Sequence, residues 1–116
     1  MRTGAAKREA LITHNVYVVE LDRKILREDQ RFVEANPNHN PRMKCLYVGM
    51  TGRSPAERYK QHKAGYKASR RVRKHGVRLV PGLYRSLNPM TYDQAVRTEN
   101  SLTRELRSKG YAVWQH

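Results

Sequence analysis

The sequence predicts one α+β domain, and three observations carry that reading. Two runs dense in β-branched and aromatic residues, NVYVVEL (15–21) and CLYVG (45–49), read as strands. Two capping boxes, Ser54 with Glu57 and Thr91 with Gln94, open helices further along. Positions 95, 99, 102 and 106 step by four, three and four, the spacing of a helix stripe that faces a core. At 116 residues the chain fits a single domain, 1–116, with a modest core.

Taken in order, MRTGAAKREALI (1–12) shows no clear period and is expected to be a loose lead-in. The first strand follows at 15–21. RKILREDQRFVEA (23–35) sets Ile25, Leu26, Phe32 and Val33 at helix-like spacing, which predicts one short helix. NPNHNPR (36–42) reads as a loop, because its prolines break helix and ladder alike. The second strand ends at Gly49. Ser54 then caps a helix with Pro55 in its first turn, running to about Lys63 before Gly65. A strongly basic helix is predicted over about 67–75, closed by Gly76. VRLVPGLY (77–84) reads as a strand bent by Pro81-Gly82. The helix opened by Thr91 lasts until Gly110, and YAVWQ (111–115) forms a short last strand.

Charge is the strongest global signal: 24 basic against 10 acidic residues, a net +14. It is uneven. Residues 53–78 carry ten basic and one acidic side chain, whereas 1–52 and 79–116 sum to only +3 and +2. Such a segment reads as a polyanion-facing patch; a solvated face kept for solubility is the plainer alternative. The patch lacks the apolar face of a membrane-surface helix. No apolar run approaches the ~18 residues of a membrane span and no signal-peptide pattern opens the chain. A cytoplasmic protein without a membrane partner is therefore expected. Cys45, alone among apolar neighbours, reads as a core residue, and no CxxC pattern suggests zinc.

Two features exceed what packing needs. Glu99 sits inside the apolar stripe of the last helix, where a carboxylate is costly without a partner. An internal salt bridge to arginine would satisfy it, and so would a metal or phosphate site. Arg58 and His62, four apart, share a helix face just past a helix start that favours phosphate. Gly49 leaves room for close approach, and Tyr47 shares its side of the strand.

VYVV (16–19), LYVGMTGRSPAERYKQH (46–62) and AVRTENSL (95–102), in that order, resemble the GIY-YIG nuclease family, nearest to its small stand-alone members. The first stretch stands for GIY and Tyr47-Val48-Gly49 for YIG; Asn15 replaces the first glycine and Met50 follows the last. Tyr17 and Tyr47 lie 30 positions apart, the extra length being a helix and loop segment at 23–42. The resemblance implies a small antiparallel sheet of about three strands flanked by helices. It also implies a metal-dependent endonuclease acting on nucleic acid, DNA before RNA. Glu99 would hold Mg²⁺ or Mn²⁺, Arg58 would neutralise the phosphate, and Tyr17 or Tyr47 would be the general base with His62 orienting it or sharing the proton. Arg53, Lys67, Arg70, Arg71, Arg73 and Lys74 are the expected backbone contacts. The alternatives are a non-catalytic nucleic-acid-binding module on the same scaffold and a basic protein-interaction domain.

Overall fold

The computed structural model describes residues 11–116, so the expectation for positions 1–10 of the lead-in lies outside the described residues. Strand β1, Asn15–Leu21, pairs antiparallel with β2, Cys45–Thr51, in unbroken register from Asn15 opposite Thr51 to Leu21 opposite Cys45. Between them the single helix expected over 23–35 is two: α1, Ile25–Glu28, and α2, Gln30–Glu34. Asp29 divides them, because its carboxylate accepts the Phe32 N–H and its own backbone turns extended. A short acceptor side chain that can cap competes with helix continuation.

Helix α3, Pro55–Ala64, starts with the predicted capping box and ends at Gly65 in the left-handed conformation. Helix α4 is shorter than expected, Arg70–His75, because Ser69 caps it from an extended backbone. Strand β3, Gly76–Leu79, pairs antiparallel with β1. Two 3₁₀ turns follow, then α5, Tyr92–Ser108, with the second capping box, and β4, Ala112–Gln115.

The sheet has four strands rather than about three, in the order β3-β1-β2-β4, and it is mixed: β4 lies parallel to β2. A parallel neighbour needs a long return connection, and α5 supplies its last leg. Residues Val16 to Val19 and Cys45 to Val48 are at most 1 % exposed, so the sheet is covered on both faces. Helices α3 and α4 cover the face that carries Tyr17, Val19 and Tyr47. Helix α5 lays Ala95, Leu102 and Leu106 against the other. No helix among the described residues is long and apolar enough to cross a membrane.

The 23–42 segment is built into this core. Ile25 and Phe32 are fully buried, and Asn36 pairs with β4 as a strand would. Its Oδ1 accepts the Val113 N–H at 2.8 Å and its Nδ2 donates to the Val113 carbonyl at 3.1 Å. Asn88 does the same for β1, with Oδ1 accepting the Val16 N–H at 2.8 Å and Nδ2 donating to the Val16 carbonyl at 2.7 Å.

Candidate active site

Strand alternation sends Tyr17 and Tyr47 to the same face, and the register sets Tyr17 opposite Gly49. That glycine is required: a Cβ there would lie 2.7 Å from both Cζ and Oη of Tyr17. The phenol lies across the space a side chain would fill. Its hydroxyl is 2.8 Å from Nε2 of His62, which α3 directs into the core. The other ring nitrogen of His62, Nδ1, accepts the backbone N–H of Ser69 at 3.0 Å.

These two bonds fix the tautomer. A backbone amide can only donate, so Nδ1 carries a lone pair and Nε2 carries the proton. Nε2–H therefore donates to the Tyr17 oxygen, and the proton of Tyr17 itself is left for another acceptor. Burial, then the Arg58 charge, push the imidazole down to about 4, which keeps it neutral. His62 is thus placed to orient Tyr17 rather than to take its proton. Burial raises Tyr17 well above the usual phenol range, with Tyr47 and Glu99 adding to it and Arg58 opposing. Tyr47, edge-on to His62 at 5.8 Å between centroids, is raised chiefly by burial too.

Glu99 is 6 % exposed. Its Oε1 accepts from Gln115 Nε2 at 3.3 Å, while Oε2 is buried with no partner. Among the described residues no cation stands within ion-pair distance, so the salt bridge that would explain a buried carboxylate is not found. Burial raises its pKa. Glu99 makes no hydrogen bond to the Tyr17–His62 pair, yet its charge opposes ionisation of both phenols. Among the described residues no three His, Cys, Asp or Glu side chains cluster for a metal. One orphaned carboxylate oxygen suits a hard divalent cation such as Mg²⁺ that keeps most of its water.

Arg58 lies half-buried with both terminal nitrogens engaged. Nη1 donates to Gln61 Oε1 and the Tyr66 carbonyl, each at 3.2 Å, and Nη2 donates to the Lys67 carbonyl at 2.7 Å. It lines a cleft with Thr51, Arg53, Gln61, Tyr66 and Lys67, where no acidic side chain appears. Two of the expected backbone contacts, Arg53 and Lys67, thus join Arg58 at one opening.

The α4 cations divide. Arg71 is held by Asp29 at 2.7 Å and stacks on Trp114 with its guanidinium 3.5 Å from the ring centroid. Lys74 pairs with Glu28 at 3.2 Å. Arg70 and Arg73 are exposed and make no ion pair among the described residues. The acids of the 23–42 segment therefore face half of the basic helix. Ser69 and Gln115 were not singled out from the sequence. Ser69 could be read only as a helix cap, and Gln115 gains meaning only from the parallel pairing that sets it opposite Val48.

Comparison of the chain with family models, curated proteins and solved structures gives no match.

Proposed function

We propose that the protein is a metal-dependent endonuclease that hydrolyses phosphodiester bonds in nucleic acid, DNA before RNA, in the manner of the GIY-YIG enzymes its motifs resemble. The observation that carries this reading is the buried His62–Tyr17 pair with its fixed tautomer. A fully buried imidazole that receives one backbone proton and donates its own to a phenol oxygen is arranged to hold that oxygen in place and to offer it a donor when it is ionised.

In this reading Tyr17 is the general base. Tyr17 first gives up its own proton to solvent. Water then attacks phosphorus, its proton passes to the Tyr17 phenolate, and the bond to the leaving sugar oxygen breaks as that oxygen takes a proton from solvent. The His62 N–H holds the Tyr17 oxygen in place through the step, and the Arg58 charge favours the ionised phenol and the phosphate alike. Glu99 would hold a divalent cation through its unpartnered Oε2; when bound, the ion supplies charge stabilisation to the leaving oxygen and lowers nearby acid groups. Arg53, Lys67, Arg70 and Arg73 would position the backbone without reading sequence.

The raised phenols favour a second reading, a nucleic-acid-binding module without catalysis, because both tyrosines stay protonated at neutral pH unless a cation intervenes. A nuclease assay on plasmid, single-stranded and branched DNA, with Mg²⁺ or with EDTA, decides between them. Metal-dependent cleavage lost in Tyr17→Phe is expected; binding without cleavage under every condition overturns the enzyme.

A further inference from the structure

Tyr66 is an exposed aromatic that neither the core nor the chemistry above explains. It is 54 % exposed, on the rim of the cleft that holds Arg53, Arg58 and Lys67. The backbone beneath it is fixed at every step. Gly65 ends α3 at φ 87, and the Tyr66 N–H donates back to the Gln61 carbonyl at 2.9 Å. Lys67 is the one non-glycine residue with positive φ among the described residues, at 45. Such a conformation is unfavourable for lysine and persists only where the surroundings impose it. Arg58 imposes it through the carbonyls of Tyr66 and Lys67. Two residues further on, the Ser69 N–H is bound to His62. Two side chains of the candidate active site thus clamp the loop, and they hold the ring out in water.

We propose that Tyr66 is a stacking platform for an unpaired base, so that the site takes nucleic acid with a single-stranded or unstacked nucleotide beside the scissile phosphate. The binding claim stands on the cleft alone; its link to a scissile phosphate rests on the nuclease reading. In a duplex the base faces are occupied by neighbouring bases, and only an unpaired nucleotide offers one to a phenol ring. Arg53 and Lys67 line the same cleft as cations for the adjoining phosphates, and the Lys67 ammonium lies 5.6 Å from the ring centroid. Because the loop backbone under Tyr66 is already ordered, binding orders the ring alone and not the loop.

Fluorescence anisotropy in EDTA, at one fixed salt concentration, tests this on three labelled DNAs: a single strand, the same strand with abasic sites, and a blunt duplex. Tyr66→Ala should weaken the single strand about tenfold, the cost of one lost base stack. Duplex and abasic DNA should bind as before, and Tyr66→Phe should retain wild-type affinity, since the ring and not the hydroxyl is used. Equal losses on all three DNAs, or no loss on the single strand, overturn the platform. Cleavage with Mg²⁺ on the same DNAs keeps the two readings apart. A Tyr66-dependent preference for single strands without cleavage overturns the nuclease and leaves the platform. Cleavage with unchanged Tyr66→Ala binding does the reverse.

Discussion

The Nε2 atom of His62 lies 2.8 Å from the Tyr17 hydroxyl, and each side chain is 1 % exposed. A hydrogen bond so isolated from water is sensitive to the loss of either partner. Tyr17→Phe leaves the His62 N–H buried without an acceptor and should cost about 1–3 kcal/mol of stability. Cleavage should fall at least about a hundredfold with DNA affinity unchanged, as removal of a general base requires. Urea unfolding beside single-turnover kinetics checks both; a variant that cleaves at the wild-type rate passes the role to Tyr47.

The same pair predicts an acid sensitivity. The imidazole is pushed down to about 4 in the fold, from 6.5 unfolded. Between those values the unfolded chain binds a proton that the folded one refuses, so stability falls as pH drops through that window. The full effect is about 3 kcal/mol. Melting temperatures between pH 7.5 and 4.5 should decline less steeply in His62→Gln than in the wild type; parallel curves would mean that the folded imidazole accepts a proton.

Glu99→Gln reads the orphaned carboxylate. Because burial raises its pKa, the folded chain holds the Glu99 proton more tightly than the unfolded one. That stabilisation is complete below the unfolded value and disappears as pH rises, leaving a buried charge that costs stability. The variant should melt higher than the wild type at pH 8, and as the wild type does at pH 4. Mg²⁺ should raise the melting temperature of the wild type only, by binding the folded state, and cleavage should vanish. A lower melting temperature at pH 8 with cleavage retained removes Glu99 from the metal.

Gly49→Ala puts a methyl group into the Tyr17 ring, 2.7 Å from its nearest atoms. Overpacking of this kind costs about 1–3 kcal/mol, and the displaced phenol should part from His62. Loss of cleavage in a variant that still binds DNA is expected, followed by thermal melts and gel assay. Wild-type stability would show that the ring has room to spare.

Arg71 and its neighbours should separate stability from affinity. Arg71→Ala removes the Asp29 ion pair and the Trp114 stack together; the cost is about 2 kcal/mol, with little change in DNA binding. Arg53→Ala and Arg73→Ala should leave the melt alone. On duplex DNA each should reduce the log–log salt slope by about 0.9 if it contacts a phosphate. An Arg71 variant that melts normally but binds weakly would reverse the assignment.

Local chemistry made much of this fold legible. Both capping boxes and the strand at 15–21 stand where the residues predict them, since each rests on neighbours in sequence. The split at Asp29 and the parallel β4 were not legible. Asp29 can lie on a helix surface or cap a new helix through the Phe32 N–H, and Arg71, 42 positions away, holds the carboxylate that does the capping. YAVWQ looks the same whichever direction its partner runs. At the site, the odd placement of Glu99 was visible in the stripe, and the structure adds that its Oε2 has no partner. The clamp of Arg58 on the loop after α3 was not, because it uses backbone carbonyls, which the sequence does not distinguish.

Asn36 and Asn88 each take up the N–H and carbonyl of one strand residue, Val113 and Val16. Side-chain amides, and not further strands, thereby finish the sheet where another chain could otherwise add to it. An asparagine ages when the backbone nitrogen of the next residue attacks its amide and expels ammonia. In this sequence both are followed by proline, Pro37 and Pro89, whose nitrogen bears no proton to give up. The two amides that close the sheet are therefore shielded from deamidation by the residue behind them. Mass spectrometry after prolonged incubation should find exposed Asn38, in a turn and followed by His39, converted well before either one. Early loss at Asn36 or Asn88 would show that proline gives no such protection.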